Sequence, residues 1–168
     1  YNTGGGTQTA GIAIGGGPNQ AVHEHYDGSS WTTKTSFPSG ANSVYAIGSQ
    51  TATLGVSGAN GKTAAWNGSS WAVSPASLTS NREYGAAGGA SNTDAYVFGG
   101  GAAPVQTATE SYNGTAWTTQ PSMANSRSSA GGTGIQSNAL LAGSFYPGNT
   151  AVEEFTAPSV ITKSITTS

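Results

Sequence analysis

Short apolar runs alternate with polar, glycine-rich stretches along the whole chain. No segment keeps the i, i+3, i+4, i+7 spacing of an amphipathic helix. Four runs end in small residues: Ile12-Ala13-Ile14-Gly15-Gly16, Thr53-Leu54-Gly55-Val56-Ser57-Gly58, Tyr96-Val97-Phe98-Gly99-Gly100 and Leu140-Leu141-Ala142-Gly143. After each comes an aromatic, Tyr26, Trp66, Tyr112 and Phe155 in turn, at intervals of 40, 46 and 43 residues. In the first three units that aromatic opens a motif closed by Trp31, Trp71 or Trp117: Tyr-Asp-Gly-Ser-Ser-Trp, Trp-Asn-Gly-Ser-Ser-Trp and Tyr-Asn-Gly-Thr-Ala-Trp. Two residues before the aromatics stand Glu24, Ala64, Glu110 and Glu153. Phe37, Leu78 and Met123 follow the Trp by six or seven residues, and Ala41, Arg82 and Arg127 lie four further on. Three motifs in a shared phase define four units, approximately 1–40, 41–81, 82–126 and 127–168.

Each unit predicts four short strands. The first is a small-residue segment such as Arg127–Gly132, whose lack of bulk suits a place where backbones approach closely. The second is the run ending in small residues, the third ends on the aromatic, and the fourth begins near the motif's Trp. Asp-Gly or Asn-Gly between the third and fourth is a strong hairpin signal, because a type I′ turn needs positive φ at both central residues. That turn predicts Tyr26 opposite Ser29 and Glu24 opposite Trp31, with all four on one face. Tyr26, Trp31, Trp66, Trp71, Tyr112, Trp117 and Phe155 are then expected in packing layers between adjacent sheets; a Trp stacked on a sugar is the alternative. Repeats of 40–46 residues with four strands each point to an all-β propeller, four blades of four antiparallel strands.

Composition narrows the function. The 168 residues carry 5 Lys and Arg, 7 Asp and Glu, and no Cys. At 7% charge the chain falls far below the roughly 25% of an average domain, while Gly supplies 26 positions and Ser with Thr supply 45. Without Cys there is no disulfide framework, zinc ribbon or thiol nucleophile. A net charge of −2 with scattered basic residues gives no footprint for nucleic acid. No apolar run approaches the ~18 residues of a membrane helix.

These residues resemble kelch-repeat β-propellers. The resemblance rests on Gly15-Gly16 and Gly99-Gly100 closing second strands, on Tyr26-Asp27 and Tyr112-Asn113 ending third strands, and on Trp31, Trp71 and Trp117 in fourth strands. It covers essentially the whole chain. The Tyr-to-Trp spacing is shorter here than in kelch repeats, as a tight Asp/Asn-Gly hairpin requires. The wording of the repeat (TESYNGTAWTT, GTQTA, VEEFTAPS) further resembles kelch-like arrays in predicted structural proteins of marine bacteriophages. That resemblance implies a virion-exposed, non-enzymatic module for adhesion or decoration.

Four blades are few for that family. The chain can close by itself, share a ring with other copies, or be a piece of a longer protein. Tyr1 and the missing arginine before the first unit favour processing or a fragment. The β-branched stretch Val160–Thr166 can supply the last strand, so blades built in phase, without exchange between the ends, are expected.

Candidate chemistry is sparse. His23 and His25 would share a strand face, as a metal site requires, but no third His exists and Glu24 points the other way; no metal or cofactor is predicted. A kelch-type copper radical oxidase needs a Cys. No Gly-x-Ser-x-Gly elbow appears. Only His23, His25, Glu83 and Asp94 are candidates for a catalytic cluster, so no enzymatic activity is expected. Arg82 and Arg127 read either as buried partners of carbonyls or of the repeat glutamates, or as contacts for an anion or glycan at the channel mouth. Phe145 and Tyr146 with Asn149, in the loop after the fourth unit's second strand, form the best lectin-like feature. The predicted function is a structural or host-surface adhesion module, extracellular or on a virion, and homo-oligomeric or part of a larger assembly. The alternative is a secreted glycan-binding lectin.

Overall fold

The structure is a computed structural model that describes residues 2–16, 20–39, 43–101, 104–145, 150–156 and 159–163. Among these no helix occurs, and the strands form four consecutive antiparallel groups. Blade 1 holds β1 (Asn2–Thr7), β2 (Ala10–Gly15), β3 (His23–Tyr26) and β4 (Trp31–Lys34). Blade 2 holds β5 (Val44–Ser49), β6 (Ala52–Ser57), β7 (Lys62–Trp66) and β8 (Trp71–Ser77). Blade 3 holds β9 (Ala86–Ser91), β10 (Asp94–Phe98), β11 (Thr109–Tyr112) and β12 (Trp117–Gln120). Blade 4 holds β13 (Gly131–Ile135), β14 (Asn138–Ala142), β15 (Val152–Thr156) and β16 (Ser159–Lys163). The molecule is a four-bladed β-propeller.

Every blade is a meander of its own consecutive strands, with no exchange between the ends. The first strands, β1, β5, β9 and β13, are innermost and line a central space of about 320 Å³. Their Gly and Ala content keeps that space narrow without filling it. One parallel bridge, Asn2 to Val44, joins blades 1 and 2 into a continuous sheet. The fourth strands are outer edges, which explains how Pro75 sits within β8: an edge strand has no ladder partner for the missing N–H.

The hairpin between third and fourth strands differs from the expected type I′ turn. Tyr26 pairs with Trp31 and Glu24 with Thr33, so the loop is Asp27–Ser30. Only the glycine adopts positive φ (+99° at Gly28, +97° at Gly68, +96° at Gly114). The first residue of each loop uses its side chain instead. Asp27 Oδ1 accepts from the amides of Ser29 and Ser30, and Asn67 and Asn113 do the same two and three residues on. This is an Asx turn, which supplies the fold-back that a second positive φ would otherwise give. The four N–H and O–H donors on Asp27 also hold its carboxyl well below the usual carboxylate range. The register moves by two residues, and a shift of two preserves the face. Glu24, Tyr26 and Trp31 therefore still share one, with Thr33 in the place expected for Ser29. A smaller difference concerns the first strand of blade 4, which begins at Gly131 rather than Arg127, because Ser129 turns the chain at φ +53°.

Each blade has two faces. The forward face, toward the next blade, carries Ile12, Ile14, His23 and His25 in blade 1, Tyr45, Ile47, Leu54 and Val56 in blade 2, and Tyr96 and Phe98 in blade 3. The backward face carries the glutamate position and the repeat aromatic. Three apolar layers result. Phe37, Leu78 and Met123, the residues that follow the fourth strands, each insert into the layer ahead of them. Where Phe37 inserts, the backward face has Gly55; a Cβ there would lie 2.5 Å from the Phe37 ring.

Candidate functional site

The polar chemistry of the chain is concentrated at these junctions. At the junction of blades 2 and 3, Arg82 donates from Nη2 to Glu110 Oε1 (2.5 Å) and from Nη1 to the Ala108 carbonyl (2.6 Å). Glu110 also accepts from the Thr79 amide (3.1 Å) and hydroxyl (3.0 Å). At the next junction Arg127 donates from Nε and Nη2 to Glu153 Oε1 (3.1 and 3.0 Å) and from Nη1 to the Gly143 carbonyl, while the Ala124 amide donates to Glu153 Oε2 (2.7 Å). All four charged side chains are buried. Both guanidiniums are thus engaged by a repeat glutamate and a carbonyl, and neither is presented to an external anion.

The first junction is a charge-free version of the same design. Ala64 stands in the glutamate position and Ala41 in the arginine position, although Ala41 lies outside the described residues. Pro38 stands where Thr79 and Ala124 donate an amide, and proline has no N–H to satisfy. At each of these three junctions arginine, glutamate and amide are present together or absent together.

His23 and His25 fill that first junction. His23 Nδ1 donates to the Thr35 carbonyl (3.3 Å), which leaves Nε2 to accept from His25 Nε2–H (2.9 Å). Both rings meet Trp66 edge-on, at 4.8 and 6.1 Å between centroids, and His23 also meets Trp71 at 5.1 Å. Burial lowers the pKa of His23, the nearby Lys34 adding to this against the Thr35 hydrogen bond. His25 is lowered to about 4 by burial, then by His23 and Lys34. Among the described residues no group of three or more His, Asp or Glu comes together to hold a metal ion. The pair has a pH consequence. The unfolded chain protonates near 6.5 while the folded one resists, so protons favour the unfolded state. Stability is expected to be flat above about pH 6.5 and to fall as pH drops toward 4, where His25 titrates in the folded chain. Urea midpoints measured across this range check it, and His25→Gln should flatten much of the slope.

The other sequence candidates are dispersed. Phe145 is exposed, at 77%, with its amide on the Ser128 carbonyl. Tyr146 and Asn149 lie outside the described residues. Asp94 accepts from the Gln136 amide across the junction of blades 3 and 4 (2.7 Å). Five of the seven repeat aromatics lie in junctions between blades, and Tyr26 and Trp31 do not. Trp66, Tyr112 and Phe155 are buried in the layers, and Trp71 and Trp117 donate their indole N–H to the preceding blade, at Thr35 O and Thr63 Oγ1 (2.9 Å each). Tyr26 and Trp31 pack on each other at 5.2 Å, but Trp31 is 53% exposed.

One recurring contact was not anticipated. The turn between first and second strands carries an amide side chain that reaches back to the preceding blade's aromatic. Gln50 donates to the Tyr26 carbonyl (2.8 Å), Asn92 to that of Trp66 (3.1 Å) and Gln136 to that of Tyr112 (3.2 Å). The signal was present in the sequence as Gln8, Gln50, Asn92 and Gln136 at matching positions. A side cavity of about 390 Å³ is lined by Phe37, Lys62, Thr63, Val73 and Ser74 among others, and these bring no set of acid, base and nucleophile together. No protein-family model matches the chain, and no curated protein matches it.

Proposed function

We propose that this propeller is a non-enzymatic structural and adhesion module of kelch-like type, carried on the exterior of a bacteriophage virion. The observation that carries this reading is that four of the twelve charged side chains, together with His23, are buried in blade junctions. Arg82, Arg127, Glu110, Glu153 and His23 are buried in blade junctions and held by one another, by backbone or by Trp rings. They hold blades together, and are withdrawn from substrate chemistry. What the blades offer outside is hydroxyl-rich: Thr32 and Thr33 of β4 and Thr118 and Thr119 of β12 are exposed edge positions. Such a surface suits a stable, weakly charged scaffold, and the repeat wording supports the phage setting. Immunogold microscopy with antibodies to the purified chain tests it. Labelled particles from the source are expected; label confined to unassembled lysate protein would overturn the virion assignment. Binding to a glycan array with no particle label would favour the secreted lectin instead.

A further inference from the structure

The three junctions define what a blade expects on each face, and two faces lack it. Blades 2 and 3 are covered on both sides, and their second strands are buried beyond the first residue. Blade 4 is not: β14 alternates, with Ala139 and Leu141 buried toward blade 3 and Leu140 and Ala142 exposed on the forward face. Leu140 is 36% exposed and Ile135 beside it 43%, whereas the equivalent Leu54 and Tyr96 are fully buried. On the other side, the backward face of blade 1 leaves Trp31 open. The close approach that joins β1 to β5, β5 to β9 and β9 to β13 is not repeated between β13 and β1 among the described residues.

These two faces carry complementary groups at three recurring positions. Gln8 occupies the turn place of Gln50, Asn92 and Gln136, is exposed, and has no hydrogen bond among the described residues. The Phe155 carbonyl occupies the place of the Tyr26, Trp66 and Tyr112 carbonyls, and among the described residues no next-blade amide side chain reaches it. Among the described residues the Trp31 indole N–H likewise lacks the acceptor that a preceding blade gives Trp71 and Trp117. We infer that the forward face of blade 4 in one copy receives the backward face of blade 1 of a second copy, forming a fourth junction in which Gln8 donates to the Phe155 carbonyl and Tyr26 and Trp31 cover Leu140 and Ile135. The contact is head-to-tail, so it either closes a ring of copies or continues as an open array. It goes beyond the proposed function and stands or falls apart from it.

The chain has no cysteine, so each single substitution introduces one thiol. Gln8→Cys and Thr156→Cys proteins are mixed in equal amounts and treated with a short bismaleimide. Covalent dimer several-fold above that from either variant alone is expected, and Leu140→Lys added to the Thr156→Cys chain should return it to the control level. Circular dichroism melts confirm that Leu140→Lys, on an open surface, remains folded. Dimer no greater than in the single-variant controls would overturn the inference, as would dimer insensitive to Leu140→Lys. Cross-linking within one chain of the doubly substituted protein, with sedimentation as a monomer at all concentrations, would show instead that the seam closes on itself.

Discussion

Replacing Arg82 with Ala is expected to cost about 3–5 kcal/mol, because it leaves the Glu110 carboxylate buried without its counter-charge. Glu110→Ala should cost a comparable amount by stranding the guanidinium. The informative result is the double variant. Burying two charges is itself expensive, so removing both should destabilise less than the sum of the singles and sit above Arg82→Ala alone. Its remaining deficit has an identified source, since the Thr79 amide loses its acceptor. Adding Thr79→Pro removes that donor and reproduces the arrangement around Pro38 and Ala64 at the first junction. Urea midpoints for the four proteins of the cycle, and for the triple variant, measure each step. Strictly additive single effects would mean that the pair is not coupled.

The second large effect separates two aromatics from matching repeat motifs. Trp66→Ala should destabilise by about 3–5 kcal/mol, the usual range for emptying a buried Trp site. Trp66 is buried against His23, His25 and Trp71, with its indole N–H on the Gln50 carbonyl (2.9 Å). Trp31→Ala, on the open face of blade 1, should change stability by about 0.5 kcal/mol or less. Trp66→Ala carries a second readout. It opens the cover over the histidine pair, so the pKa of His25 should rise from about 4 back toward 6.5, as followed by NMR titration. A destabilised variant with an unmoved His25 would show that the indole does not seal the pair.

Much of the architecture was legible because hairpin chemistry repeats in phase. The aromatic and its Trp mark the end of the third strand and the start of the fourth in three units, and alternation places Glu24, Tyr26 and Trp31 on one face even though the turn itself is longer than the dipeptide suggested. The loop was misread because Asp27, Asn67 and Asn113 act through their side chains, and the dipeptide rule considers only backbone angles. The arginines could be placed at blade entries, with burial against a glutamate as one of two readings. Choosing between them required knowing that Glu110 and Glu153 face backward, toward the chain segment holding Arg82 and Arg127. The shared absence of Arg and Glu at Ala41 and Ala64 carried the same information in one dimension. His23 and His25 were placed on a common face, but their Trp66 and Trp71 partners belong to the next blade, and contacts between blades leave no local spacing signal. The exposure of Leu140 and Trp31 was illegible for the same reason: an end blade has the same pattern as a middle one, and only its missing neighbour differs.

The central claim is that four in-phase blades are held together by their junctions, two of which bury an Arg–Glu pair. A crystal structure of the chain tests it most directly. The account predicts four four-stranded meanders around a Gly- and Ala-lined centre, with Arg82 on Glu110 and Arg127 on Glu153, both pairs shut off from solvent. A sandwich or barrel in which strands pair across these units, or a propeller whose two guanidiniums turn outward to solvent, would contradict it.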